Sequence, residues 1–273
     1  MIWGCAFSAQ SAAAGAIGPW LFNGIRFLMG GLELILLSKA LHGFLPAAKS
    51  DDPSSLWKAS VSCGLILILA SVLQQAGIRY TTAGKAGFIT SLYVVLVPLA
   101  EVVFFRRRPG LRLWAAVGLA VTALFLLSGA EKGRAEIGDV LMLGCAFAFA
   151  GHILLIDRAV KQIDPIRFSA LQFLTAGMIG MIGADLFEEI RLSMIKEALI
   201  PLLYTGLLSA GLGYTLQVIG QADTEPAAAS LLLSLESVFS VLFGFLLLGE
   251  VLSARELIGC GLLFAAVMLV QIK

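Results

Sequence analysis

At Leu73–Val95 the chain reads LQQAGIRYTTAGKAGFITSLYVV, and at Leu216–Val238 it reads LQVIGQADTEPAAASLLLSLESV. Laid over each other at a shift of 143, the two share Leu, Gln, Gly, Thr, Ala, Ser, Leu and Val. Continued without a gap, the alignment pairs Arg112 with Arg255 and Gly118-Leu119 with Gly261-Leu262. Identities reach 16 of 65 positions between Cys63–Leu127 and Gly206–Val270. Leucine-rich text matches by chance, so the shared Gln, Gly, Thr and Arg carry the signal. Two shorter echoes extend it: GCAF at Gly4–Phe7 returns at Gly144–Phe147, and PWLFNGIRFLMGG from Pro19 resembles PIRFSALQFLTAG from Pro165. Self-similarity over this span means a duplicated unit, with halves at about 1–130 and 131–273.

The solvent of that unit follows from composition. Of 273 residues, 59% are hydrophobic and 14% charged, with a mean hydropathy of +0.94. Soluble domains run about 45–50% apolar and about 25% charged, so the chain is read as a membrane protein. A net charge of +1 gives no basic excess for nucleic acid. Cys5, Cys63, Cys145 and Cys260 lie far apart in apolar runs, without a metal-ligand spacing, and read as apolar fillers. No basic region precedes a cleavage site, so no signal peptide is evident.

A spanning helix needs about 20 mostly apolar residues. Ten stretches qualify, roughly 1–17, 20–41, 57–78, 84–105, 111–128, 137–157, 165–187, 197–219, 226–248 and 255–272. The longest connection, 43–56, reads as a solvated turn. The first stretch is short for a span, which predicts a start lying upstream. The expected fold is all-α integral membrane: ten transmembrane helices as two inverted five-helix repeats. Five is odd, so the second half must enter from the opposite side. With both termini inside, 11 Lys and Arg fall on inner segments and seven on outer loops, in the sense of the positive-inside rule. Arg106–Arg108 falls opposite Gly249–Val251 in the repeat, basic against acidic. Inverted repeats of this kind place a polar site near the midplane, where the halves meet.

The chain resembles the EamA-type permeases of the ten-helix drug/metabolite transporter superfamily. The carrying stretches are WGCAFSAQ, IGPWLFNGIRFLMGGLEL, LQQAGIRYTTAGKAGFITSLYVVLVPL, GHILLIDRAV, YTGLLSAGLGYTLQVIGQ and SLLLSLESVFSVLFGFLLLGEVLS. The resemblance covers essentially the whole chain. It implies an inner-membrane transporter of small metabolites or drugs, commonly an exporter. Where the family usually has Glu-Pro this chain has Glu236-Ser237, which removes the residue that would kink the helix. The family also has more residues before its Trp-Gly.

Ionisable groups in hydrocarbon cost about 2.5–3.5 kcal/mol on insertion scales, so each needs a partner or a wet cavity. Glu236 sits mid-span in the ninth stretch and is the leading candidate to bind cationic or polar substrate, or to carry a proton; helix-to-helix hydrogen bonding is the plainer role. Its repeat partner is Tyr93, which places the two near a pseudo-two-fold axis. His152 is a candidate for coupling, against the commoner role of an interhelix hydrogen-bonder. Arg26, aligned with Gln172, can bind a substrate carboxylate or else snorkel to the outer interface. Gln74 and Gln217 are repeat equivalents, suited to a polar pathway or to helix glue. Trp3 and Tyr214 are cavity-lining candidates, with interface anchoring as the alternative. Glu33 has no evident partner, and Glu101 beside the arginines reads as a structural ion pair. Gly177, Gly180, Gly183, Gly259 and Gly261 read as close helix packing, and Ala227–Ser230 as a thin helix.

The expected function is secondary transport by alternating access about Tyr93 and Glu236. No GxxxxGK[ST] motif supports ATP drive, and no cofactor is expected. Expected partners are the lipid bilayer, a small-molecule metabolite or drug and, if Glu236 titrates, protons, with room for a homodimer. An intramembrane enzyme would want clustered acids, His or metal ligands, and His42 and His152 stand apart. A non-transporting sensor or assembly subunit, or an inactive truncated paralogue, is the other alternative.

Overall fold

The computed structural model describes residues 1–40, 52–80, 83–107, 109–127, 137–161, 163–248 and 253–271. His42, most of the 43–56 connection, Arg108, residues 128–136 and Glu250 lie outside them. The described residues form ten helical rods. These are α1 (Ile2–Ala13), α2 (Pro19–Ala40), α3 (Pro53–Gly77, extended by a 3-10 turn at Ile78–Tyr80), α4a and α4b (Ala83–Thr90, Tyr93–Phe105) and α5 (Leu111–Leu127). The second set is α6 (Ile137–Val160), α7 (Pro165–Phe187), α8 (Leu199–Leu203, Tyr204–Tyr214, Thr215–Gln221), α9a and α9b (Pro226–Leu233, Glu236–Leu248) and α10 (Ala254–Gln271). A short helix at Leu192–Glu197 precedes α8.

Eight rods are long and apolar enough to cross a membrane, and α5 is a shorter apolar helix. The first rod corrects the expected 1–17 span: α1 has 12 residues, about 18 Å at 1.5 Å per residue, against a hydrocarbon core of about 30 Å. Starts follow local chemistry. Asp52 and Asp164 each precede a proline and accept backbone N–H bonds from the first turn, from Ser55 and from Ile166 and Arg167. The Ser55 hydroxyl and amide hold the Asp52 carboxyl below the usual carboxylate range. The end of α4b is capped by Arg106 in left-handed conformation, φ 53°, a shape glycine adopts at less cost.

Two rods break where the sequence shows neither proline nor glycine. In α4 the turn at Ser91-Leu92 tightens, with Val94 N–H bonding the Ser91 carbonyl at 3.0 Å. In α9 the turn at Ser234-Leu235 does the same, with Ser237 N–H on the Ser234 carbonyl at 3.1 Å. Positions 91 and 234 are 143 apart, so both breaks occupy one place in the repeat. The missing proline after Glu236 therefore does not leave α9 continuous. A further departure from the expected plain spans is the middle of α8, where Tyr204–Tyr214 is wound as a π-helix.

Three repeat-related pairs of rods pack on each other, α2 with α7, α4 with α9 and α5 with α10, and the first pair runs antiparallel. Along α2 and α7, a Cβ on Gly183 would fall on Trp20, one on Gly180 on Gly24 and one on Gly177 on Leu28; positions rise on one helix as they fall on the other. Small residues let these backbones approach, as membrane helix pairs require. In α5 and α10, Gly259 lies on Ala123, while Arg255 donates to the Phe125 carbonyl at 3.0 Å. Gly261 corrects its expected packing role, since a Cβ there meets nothing within 4 Å. In the broken rods α4a packs on α9b and α4b on α9a, so they cross at their breaks. Ala227, Ala229 and Ser230 are buried, in keeping with a thin helix at that crossing.

Candidate functional site

The first residue after each break is a candidate from the sequence. Tyr93 opens α4b and Glu236 opens α9b, and the tyrosine hydroxyl donates to Glu236 Oε1 at 2.9 Å. Beside them the hydroxyls of Ser91 and Ser237 meet at 3.0 Å. A tightened turn on each rod thus brings two repeat-equivalent side chains to one point where α4 and α9 cross.

They face a cavity shared with Trp3, Gln10, Arg26, Gln74, Tyr214 and Gln217, and closed by Phe7, Phe149, Ile153 and Leu233. Its volume is about 40 Å³, room for roughly three waters at 10–15 Å³ each. Trp3 Nε1 donates to the Ser209 carbonyl of the π-helical stretch at 3.2 Å, and its ring lies 4.7 Å from that of Tyr214. Arg26 is buried at 1% exposure and does not snorkel. Its guanidinium sits 4.7 Å from the Phe27 ring centroid, a favourable cation–π contact, and Nη2 reaches Ser71 Oγ at 3.4 Å. Nε and Nη1 have no hydrogen-bond partner.

His152 and Gln172 do not line this cavity. They pair with each other, Nε2 to Oε1 at 3.0 Å, and the His152 ring abuts the edge of Tyr214 at 6.0 Å. Their place is behind Tyr214, where they brace its ring. Gln217 donates to Gln221 Oε1 at 2.9 Å, and Gln221 donates to the Ile153 carbonyl at 3.1 Å. Glu33 points away from the cavity, among lipid-facing leucines, with Oε2 over Gly211 and no hydrogen bond to that oxygen. Gln10, Ser209 and Phe149 line the site without having been anticipated. Gln10 lies one turn past Phe7 on the apolar α1, where a lone buried amide is a usable signal.

The two ends of the bundle differ. At the ends of α4b, α6 and α8 a vestibule of about 820 Å³ is lined by Glu101, Arg107, Arg112, Asp157, Lys161 and Glu225. Arg107 bonds Glu101 at 2.7 Å and approaches Asp157 at 3.5 Å, while Lys161 meets Asp157 at 3.0 Å. Glu101 is thus an ion-pair residue, as its position beside the arginines implied. At the opposite end the loops are cinched. Glu188 accepts the N–H groups of Trp20 and Leu21 at 2.8 and 2.9 Å, and Arg79 donates to the carbonyls of Ala14 and Ile17 at 2.6 Å each. A carboxylate on two free N–H groups at a helix start is worth on the order of 1 kcal/mol. Glu188→Ala is therefore expected to lower the melting temperature of the purified protein by a few degrees, measured by thermal unfolding in detergent.

A helical bundle that buries a polar cavity between crossing broken rods defines the class of multi-pass membrane transporters. The chain belongs to the EamA-like transporter family, whose profile matches residues 1–129 and again 136–272. An uncharacterized transporter of Archaeoglobus fulgidus is 30% identical over 100% of this chain and 83% of its own length. The uncharacterized transporter YwfM of Bacillus subtilis is 27% identical over 98% of this chain and 90% of its own. The threonine/homoserine exporter RhtA of Escherichia coli is 31% identical over 63% of this chain and 58% of its own. A solved crystal structure shares the fold at a TM-score of 0.76, covering 98% of this chain and 94% of its own, with 17% identity.

Proposed function

We propose that the protein is a secondary transporter that moves small metabolites or drugs outward by alternating access. Its two halves, 1–130 and 131–273, are taken as inverted repeats that rock about the Tyr93–Glu236 contact. The observation that carries this reading is that bond: two side chains 143 residues apart, each first after a helix break, meeting at 2.9 Å. The antiparallel packing of α2 on α7, which are repeat-related, supports the inversion. A vestibule at one end and cinched loops at the other support a site served from one side at a time. The name of the Escherichia coli relative supports export. Glu236 then carries the coupling proton, with Tyr93, Tyr214, Arg26 and the Met1 amine among the other titratable or charged groups around it. In this reading the protein lies in the cell (inner) membrane with both termini in the cytoplasm.

Proteoliposomes test it. Wild-type protein should speed efflux of at least one compound from a metabolite and drug panel over protein-free vesicles, and flux for none would sink the proposal. The inversion has its own test in a cysteine-free background. Single cysteines at Arg107 and Ser253 should react with a membrane-impermeant maleimide from opposite faces; labelling from one face refutes it.

A further inference from the structure

We propose that cargo leaves the central cavity along a polar seam between α1 on one side and α2 and α3 on the other, and that Arg79 is the clasp that shuts it. This rests on the transport reading above and names the outward route of that site. The route begins at Gln10 and Arg26, which line the cavity. Toward the cinched end, Ser71, Gln75 and Arg79 follow one another along α3 and its 3-10 turn at intervals of four, so they share one face. The Arg26 guanidinium reaches Ser71 Oγ at 3.4 Å. Asn23, on the turn of α2 before Arg26, donates to the Ser71 carbonyl at 3.1 Å. Gln75 donates to the Gln10 carbonyl of α1 at 3.0 Å. Three helices thus meet on amides between the cavity and the cinched loops.

Those amides are only half used. Gln10 Oε1, Asn23 Oδ1 and Gln75 Oε1 have no hydrogen-bond partner, although the three residues are buried. Glue between helices would leave each oxygen an unmet acceptor, which is costly. Water, or a passing N–H or O–H donor, meets them when the seam parts. The packing sets the parting line. α1 packs on α8 and α9b and comes near α3 mainly at the turn Ile78–Tyr80, while α3 packs on α6 and α7. Arg79 sits in that turn. Its Nε and Nη2 hold the Ala14 and Ile17 carbonyls, just past the end of α1, at 2.6 Å each. Carbonyls at a helix end lack partners within the helix, so one guanidinium fork ties the end of α1 to α3. Arg79 is itself exposed, so water replaces it when the clasp opens.

The test is the reaction of single cysteines with a membrane-impermeant methanethiosulfonate, in a cysteine-free background and in sealed membrane vesicles of each orientation. Gln75→Cys and Ala13→Cys probe the seam, since both positions are buried and neither lines the cavity. Ser60→Cys is the control, a buried hydroxyl of α3 that lies off the route. The two seam cysteines should react from the outer face, as the protein passes through its outward-open state, and the control should not. Arg79→Gln should raise both rates at least tenfold, because an amide cannot span the two carbonyls. The labelling with Arg79 in place stands even if that variant fails to fold. No reaction at either seam position, reaction from the inner face only, equal reaction of the control, or rates that Arg79→Gln leaves unchanged overturns the proposal. The labelling needs no cargo, so it is separable from flux. Flux without labelling sinks the route alone, while labelling without flux of any compound leaves a seam that opens and sinks the transport reading.

Discussion

Glu236→Gln is expected to cut flux driven by an imposed pH gradient at least tenfold in proteoliposomes, and the residual flux should no longer follow the gradient. Glutamine keeps the length of the side chain and an oxygen to accept the Tyr93 hydroxyl, which bonds Glu236 Oε1 at 2.9 Å. It cannot take up or release a proton. The variant therefore separates the titratable charge from the shape of the contact. Tyr93→Phe removes only the hydrogen bond. Such bonds between membrane helices average about 0.6 kcal/mol, so its effect should be about two- to threefold. Glu236→Gln protein that still follows the gradient would remove Glu236 from the coupling step.

The second large effect lies in the seam between α2 and α7. A Cβ on Gly180 would stand 2.6 Å from Gly24 Cα and 2.8 Å from its nitrogen. Both obstacles are backbone, so the helices themselves must part. Overpacking of this kind costs about 1–3 kcal/mol. Gly180→Ala should lower the melting temperature markedly and reduce the yield of monodisperse protein. Gly261→Ala is the matched control, because nothing lies within 4 Å of its Cβ. There the gain in helix propensity, up to about 1 kcal/mol, should leave stability unchanged or slightly raised. Equal melting temperatures for the two variants would show that the seam is loose.

What the sequence revealed depended on where its signal was redundant. The duplication was legible because a fixed shift keeps Gln74 with Gln217 and Arg112 with Arg255, residues that hydrocarbon does not produce by chance. The meeting of Tyr93 and Glu236 followed from that shift. The breaks before them were not legible: Ser91-Leu92 and Ser234-Leu235 contain no residue that forbids a helix, and crossing against the opposite half decides their shape. The π-helical winding of α8 was equally silent. His152 and Arg26 show the limit for single side chains. An all-apolar span has no polar face to orient it, so the residue that entered the cavity and the one that stayed behind Tyr214 looked alike.

The winding of α8 has a consequence for chain length. Between Tyr204 and Tyr214 the backbone bonds run to the fifth neighbour instead of the fourth, so this wall holds more residues per turn than an α-helix. Removing one lipid-facing leucine, Leu207 or Leu208, lets the stretch tighten toward ordinary pitch and absorb the loss locally. The same deletion in α7 would turn every later side chain by about 100° and carry its glycines off the α2 seam. Among these rods α8 carries the slack, and natural length variation in the bundle should collect there.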